Sequence, residues 1–410
     1  MVELEKNTKT SGNGIFYGGL VLSIVHFMIP ETTLAIPDML QIIKGFMFLF
    51  LTMQLALAFP KYEILKKLLV LVVFLLVVII GVSTERFETV YCMFALVVGS
   101  KGINYKSIVR VYYITGLIFC LSVVLMSCFG FIENLSFLTD VHGASEQSTI
   151  RYCMGYIWPT DFATHVFFIL LAYWILEDGR MTIVRFLCFL LITYEVYRLS
   201  DSRLGCGCIL LLIVFSFILK IRKWLTLKHN RIVRYSFIKK IVWMSFIPVL
   251  FSIMTYATYS FEPNDPKWFA IDLALTSRLS ISQDALEKEG FTWFGQKYEM
   301  VGGDAIKTLY NYIDSSYLQA LVIYGAIFSV LLLLSYIYIA GRAYERRDYV
   351  ILYAIIVAGI SGAIAQHFLQ IFMNPLWLAV TAQFVYDEMS KKEFLPSQSG
   401  VSLTKGVESN

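Results

Sequence analysis

Apolar residues in this chain gather into runs of lipid-crossing length, roughly twenty residues each, separated by short polar stretches. Hydrocarbon offers backbone N–H and C=O groups no partner, so a run that crosses a bilayer must pair its own backbone as a helix. Twelve spans are expected, at 13–29, 37–58, 64–82, 87–100, 110–131, 156–176, 181–198, 204–220, 239–260, 316–340, 349–370 and 374–388, the fourth and twelfth being short. The chain therefore reads as an all-α polytopic membrane protein. Residues 1–390 form one membrane domain, and the polar stretch 391–410 is a disordered tail. Lys6 and Lys9 precede the first apolar run without a small-x-small cleavage pattern, so that run reads as an uncleaved anchor.

One segment breaks the pattern. Residues 261–315 are long, charged and polar, and whatever acts on a polar substrate is expected mainly there. Asp265 and Pro266 signal a turn, 270–289 predicts a helix ended by Gly290, and a second helix is expected from Asp304 as N-cap. Ile306, Tyr310, Ile313 and Tyr317 share its face, and it would run into the tenth span and hold Asp314 at the membrane surface. Two shorter polar segments, 132–152 and the turn 198–203, fall on the same side.

Composition agrees with this picture and adds orientation. The 410 residues are 58% apolar and 16% charged, with a mean hydropathy of +0.67, too apolar for an ordinary soluble protein. With the N-terminus inside, 24 of the 34 Lys and Arg fall inside, 9 outside, and Lys44 within a span. The loop 220–240 is the most basic, as the positive-inside rule requires, and both termini are then cytoplasmic. The net charge of +4 is thus topological, and no nucleic-acid site is read from it. The seven cysteines show no metal spacing, and Cys206 and Cys208 read as small packing residues on a membrane helix.

Arginine is scarce on the outer side: Arg86, Arg151, Arg198, Arg203 and Arg278. Its planar fork binds phosphate in a bidentate manner and stays charged, so arginines converging at a bilayer surface suit a lipid-linked diphosphate. Snorkelling, or pairing with Glu195 or Asp201, is the competing account of Arg86 and Arg198 above all, and of Arg203 and Arg278 as well. Asp161 and His165, four residues apart in the sixth span, and Glu195 in the seventh are costly at that depth and are expected to face a cavity or a partner. Asp161 follows Trp158 and Pro159, so a helix-start role is also open. Lys44 is expected to snorkel. Trp268, Trp293, Tyr298, Tyr310, Tyr312 and Tyr317 offer faces for sugar stacking, or else belong to an interfacial belt.

Several strings together resemble the Wzy-type polysaccharide repeat-unit polymerases of capsule and exopolysaccharide systems, relatives of the O-antigen ligases. They are Arg151-Tyr-Cys-Met-Gly-Tyr-Ile-Trp-Pro159, Leu199-Ser-Asp-Ser-Arg203-Leu-Gly205, Ser277-Arg278-Leu279, Phe294-Gly-Gln296, Asp314-Ser-Ser-Tyr317-Leu-Gln and Tyr324-Gly325. The resemblance covers 150–375. It implies a GT-C-like architecture in the bacterial plasma membrane, an undecaprenyl-diphosphate-linked oligosaccharide as substrate, and an inverting glycosyl transfer on the extracytoplasmic face. No metal or other cofactor is implied, and a chain-length regulator is an expected partner. In the ligase relatives a His-Asn-x-Tyr-Leu motif supplies a proposed base. Here Asp314 begins the matching string and 261–315 holds no histidine, which makes Asp314 the candidate base, with capping of the helix or pairing with an outer arginine as the competing account. Arg203 and Arg278 would stabilise the leaving diphosphate, Arg151 and Tyr317 would bind and orient it, and Asp161, Trp293 and Gln296 would contact substrate. A ligase with another acceptor is the nearer rival. A flippase is the more distant one, because no internal repeat is evident.

Overall fold

The segment 29–36, with Pro30 followed by Glu31, Thr32 and Thr33, turns the chain back on itself, so that α1 (Val2–Met28) and α2 (Pro37–Ala58) lie antiparallel, with Pro37 in the first helical turn where its missing N–H leaves no bond unmade. The computed structural model describes residues 2–140, 148–229, 236–275, 277–302 and 311–384. The alternation continues through α3 (Ile64–Ser83), α4 (Phe87–Gly99) and α5 (Tyr105–Cys128). A hairpin of β1 (Ser136–Asp140) and β2 (Ser148–Tyr152) follows, pairing Phe137 with Arg151. Then come α6 (Pro159–Leu176), α7 (Ile183–Ser200), α8 (Arg203–His229) and α9 (Phe237–Tyr259).

Among the described residues eight helices are long and apolar enough to cross a membrane: α1, α2, α3, α5, α6, α8, α9 and α13 (Gly325–Glu345). α4 and α14 (Tyr349–Ile364) are shorter apolar helices, and α7 is long enough but carries Arg185, Glu195 and Arg198. The layering follows burial. Of the most apolar stretch of each helix, 78% is buried in α6 but only 17% in α3 and 11% in α9, so α6 lies at the centre and the other two at the lipid-facing rim.

The turns fall alternately at two ends of this bundle. At one end Ile157 N–H donates to the Glu31 carbonyl (3.0 Å), Arg86 to the Tyr298 carbonyl (3.3 Å) and Arg151 to the Ser200 carbonyl (2.7 Å). At the other, Lys106 pairs with Asp178 at 2.5 Å, Lys240 pairs with Glu345, and Tyr105 N–H donates to the Gln383 carbonyl at 2.8 Å. The described parts of the basic stretch 220–240, the end of α8 and the start of α9, belong to this second end. Lys44 does not simply snorkel: its ammonium lies 2.5 Å from Glu88 on α4, which also contacts His26 on α1. A carboxylate between two nitrogen bases lets all three sit within the helical layer.

The long polar segment departs from expectation in several places. The helix read at 270–289 is two helices, α10 (Pro266–Ala274) and α11 (Arg278–Glu289), ended by Gly290 at φ +63° as expected. The break arises because the buried Asp272 carboxylate accepts from Leu279 N–H (2.8 Å) and Ser280 N–H (3.3 Å), capping α11, while Ser277 turns the chain at φ +59°. The start of the second expected helix, at Asp304, lies outside the described residues. Its continuation is not helical: 312–315 is irregular, after Asn311 bridges to Val301, so Asp314 stands on a loop.

The tenth span is also broken, into α12 (Ser316–Val322) and α13, because the loop 292–296 inserts at the joint. Thr292 and Trp293 carbonyls accept from Ala326 N–H (2.9 Å) and Ile327 N–H (3.1 Å), and Gln296 N–H donates to the Ile323 carbonyl (2.9 Å). This accounts for the glycines of Phe294-Gly-Gln296 and Tyr324-Gly325. Gly325 has φ +90°, and a Cβ there would lie 2.3 Å from the Gly295 nitrogen.

The twelfth span, read at 374–388, is not a continuous helix over its described residues 374–384. From Ala365 to Gln383 the chain returns to the second end through two short 3-10 turns, Gln366–Phe368 and Pro375–Val380, and residues beyond 384 lie outside the described residues. Neighbouring side chains satisfy its carbonyls: Arg342 donates to Ala379 and Ala382 (3.0 Å each), Asn374 to Phe368 (2.9 Å), and Ser100 to Leu378 (3.2 Å). Irregular backbone at such depth is tolerated where protein, not lipid, surrounds it, and this segment is almost wholly buried.

Candidate functional site

A cavity of about 610 Å³ opens at the first end of the bundle, where the three polar segments meet the starts of α6 and α8 and the end of α14. Arg151 enters it from β2. Its Nε holds the Ser200 carbonyl, which pins the hairpin to the turn between α7 and α8. In that turn Asp201 adopts φ +46° and Ser202 N–H donates to Ser200 Oγ (3.3 Å), so that Arg203 begins α8 at the cavity wall. Gly205 lets α8 approach α6 closely, since a Cβ there would sit 3.1 Å from that of Ala163. Arg203 is exposed and forms no ion pair or hydrogen bond among the described residues.

Arg278 is placed by the Asp272 cap as the first residue of α11, and its Nε lies 3.5 Å from Asp314 Oδ2. Burial raises the Asp314 carboxyl above the ordinary carboxylate range, Arg278 opposes this, and the charge of Asp161 adds to it. A carboxyl so raised is a better proton acceptor near neutral pH than an exposed one.

Asp161, in the first turn of α6, also lines the cavity, with its Oδ1 3.2 Å from His367 Nε2. His367 and its neighbour Gln366 were not singled out in the sequence, where they fall inside the apolar run 349–370. α14 in fact stops at Ile364 and delivers both residues to the cavity wall. Two polar residues closing an apolar run were the available signal.

Three further candidates lie elsewhere. Tyr317 is fully buried and its hydroxyl donates to the Gly359 carbonyl at 2.9 Å, tying α12 to α14. Trp293 is 72% exposed on the loop that caps α13. The Gln296 amide donates to the Glu289 and Gly290 carbonyls (3.3 Å each) and braces that same loop. None of the three lines the cavity. His165, buried beside Tyr156, does not line it, and Arg198 pairs with Glu195 at 2.7 Å. Of the aromatic residues proposed for stacking, Tyr312 lines the cavity, Trp268 packs on Phe261, the Tyr298 hydroxyl donates to Asn311 (2.6 Å), and Tyr310 lies outside the described residues.

No known protein family, curated protein or solved structure matches this chain. The site therefore has to be read from its own chemistry.

That chemistry is bipolar. Arg151, Arg203 and Arg278 gather with Asp201, and the positive charges of Arg151 and Arg278 are close enough to act on one another. Asp161 and His367 form a second group, and Asp314 stands between the two, paired with Arg278 and within electrostatic reach of both Asp161 and His367. A cavity of this kind can hold a phosphate-bearing group at one end and a hydroxyl-rich group at the other, with a proton acceptor at the seam.

Proposed function

We propose that this chain is a glycan polymerase of the Wzy type, moving a growing glycan from a polyprenyl diphosphate to an incoming lipid-linked repeat unit. The observation that carries this reading is the convergence of Arg151, Arg203 and Arg278, from three separate parts of the sequence, beside Asp314 in one cavity at the end of an apolar bundle. That end is read as extracytoplasmic because the basic loop 220–240 belongs to the other. The descending segment 366–383 would then count as a twelfth crossing, bringing both chain ends to the cytoplasmic side within a GT-C-like architecture.

In this mechanism an acceptor hydroxyl oxygen bonds to the anomeric carbon of the donor from the face opposite the diphosphate. The bond from that carbon to the diphosphate oxygen breaks, and the diphosphate leaves with the electron pair. Arg203 and Arg278 bear on the charge that builds there, stabilising the transition state more than the bound substrate. Asp314 accepts the hydroxyl proton once Arg278 turns toward the diphosphate.

The test uses purified full-length protein and lipid-linked repeat units extracted from cells that lack the chain, without added metal. A ladder of products spaced by one repeat is expected. A single transfer to a different acceptor would make the protein a ligase, and transbilayer movement with no covalent product would make it a flippase.

A further inference from the structure

The two ends of the cavity differ in kind, and this difference deepens the polymerase reading, on which the following rests. The arginine end suits a diphosphate. The other end is walled by Trp158, Thr160 and Asp161 from the start of α6 and by Gln366 and His367 after α14. Phe137 of the hairpin stacks on the Trp158 indole with ring centres 5.0 Å apart and planes at 21°, which fixes the ring. Gly302 adjoins the same ring and also lines the cavity. Any side chain there would crowd the indole, since its Cβ would lie 2.9 Å away.

The polar groups are arranged to meet a ligand. Gln366 Oε1 is engaged by the Gln319 amide (3.2 Å), which leaves the Gln366 N–H donors directed elsewhere. His367, 3% exposed, contacts Asp161 through Nε2, while its Nδ1 is buried with no hydrogen-bond partner among the described residues. Thr160 is partly exposed at the cavity wall and its hydroxyl forms no hydrogen bond among the described residues. A fixed aromatic ring beside a carboxylate, an amide and a hydroxyl can stack on the apolar face of a pyranose ring and bind its hydroxyls.

We propose that this wall is the acceptor subsite, and that it takes the terminal sugar of the incoming repeat unit. A sugar seated there presents a hydroxyl toward Asp314 at the seam, while the donor diphosphate occupies the arginine end.

The experiment measures two bindings on the full-length protein in nanodiscs. Geranylgeranyl diphosphate reports the arginine end, and the free oligosaccharide released by mild acid from the accumulated lipid-linked repeat units reports the acceptor wall. Gln366→Ala and Trp158→Leu are each expected to weaken the oligosaccharide about tenfold or more while changing the diphosphate probe by less than about twofold. Arg203→Lys is expected to do the reverse. Thr160→Val, a small change at a partly exposed position, guards against misfolding and should weaken only the oligosaccharide.

Oligosaccharide binding that survives all three wall substitutions would overturn the inference while leaving the polymerase reading intact. So would equal weakening of both probes by the same substitutions. If the parental protein neither binds the diphosphate probe nor forms a ladder, the polymerase reading falls and the subsite falls with it.

Discussion

Arg278 and Asp314, thirty-six positions apart in sequence, meet at 3.5 Å in the cavity wall, one at the first residue of α11 and the other on the loop before α12. In the proposed transfer the pair would join a group that bears on the leaving diphosphate to a proton acceptor. The two lie against one another, and the arginine opposes the upward push that burial gives the Asp314 carboxyl.

Replacing either cavity arginine by lysine keeps the charge and removes the planar fork. Arg203→Lys and Arg278→Lys are each expected to lower polymer formation by about a hundredfold, in the range seen for loss of one transition-state donor, with membrane insertion unchanged. Product ladders at matched protein level measure this. Near-parental ladders from either variant would show that the residue supplies only local charge.

Asp314→Asn preserves shape but cannot take a proton. Turnover should fall by about a hundredfold or more while the diphosphate probe binds as before. Because burial raises the Asp314 carboxyl, the parental rate should also fall as pH drops through that raised value, where the base becomes protonated. A variant that keeps both the parental rate and the acid limb would remove Asp314 from the chemistry.

Asp272 never touches the cavity, yet its carboxylate holds the first N–H groups of the helix that begins with Arg278. Asp272→Ala should cost about 1 kcal/mol of cap energy and lower activity through a loosened Arg278. Thermal unfolding together with turnover checks this, and an unchanged turnover would separate the cap from the site.

Gly325→Ala combines a left-handed backbone with a direct clash against Gly295. The expected loss is roughly 2 kcal/mol or more, seen as lower yield and melting temperature. Wild-type stability in this variant would mean that the loop 292–296 yields freely at the joint.

Lys288 on α11 and Lys223 on α8 are both exposed and belong to opposite ends of the bundle. A cysteine at 288 should react with an impermeant thiol reagent in intact cells, and one at 223 only after permeabilisation. The reverse pattern would invert the topology.

The arginines were legible in the sequence because charge is scarce on that side of an apolar chain, so each survivor needs a reason. Tyr317, Trp293 and Gln296 were less so. They sit in strings that resemble a family pattern, but here they brace α12, α13 and the loop between α11 and α12. A motif does not distinguish residues that touch substrate from residues that hold the frame. His367 and Gln366 were hidden for a simpler reason: a helix that stops at Ile364 and an apolar run that continues past it have the same composition. The broken tenth span was likewise signalled only by Gly325, whose φ of +90° cannot be read from hydropathy.

The descent from Ala365 to Gln383 has a consequence for how the protein is made. Lacking a continuous helix, this stretch cannot shelter all its own carbonyls in lipid and depends on Arg342 and Ser100, from outside it, for several of them. It therefore has no stable place in the bilayer until α4 and α13 are already assembled around it. Since it also delivers Gln366 and His367 to the cavity, a bundle that has not closed correctly around it would be left without a finished wall.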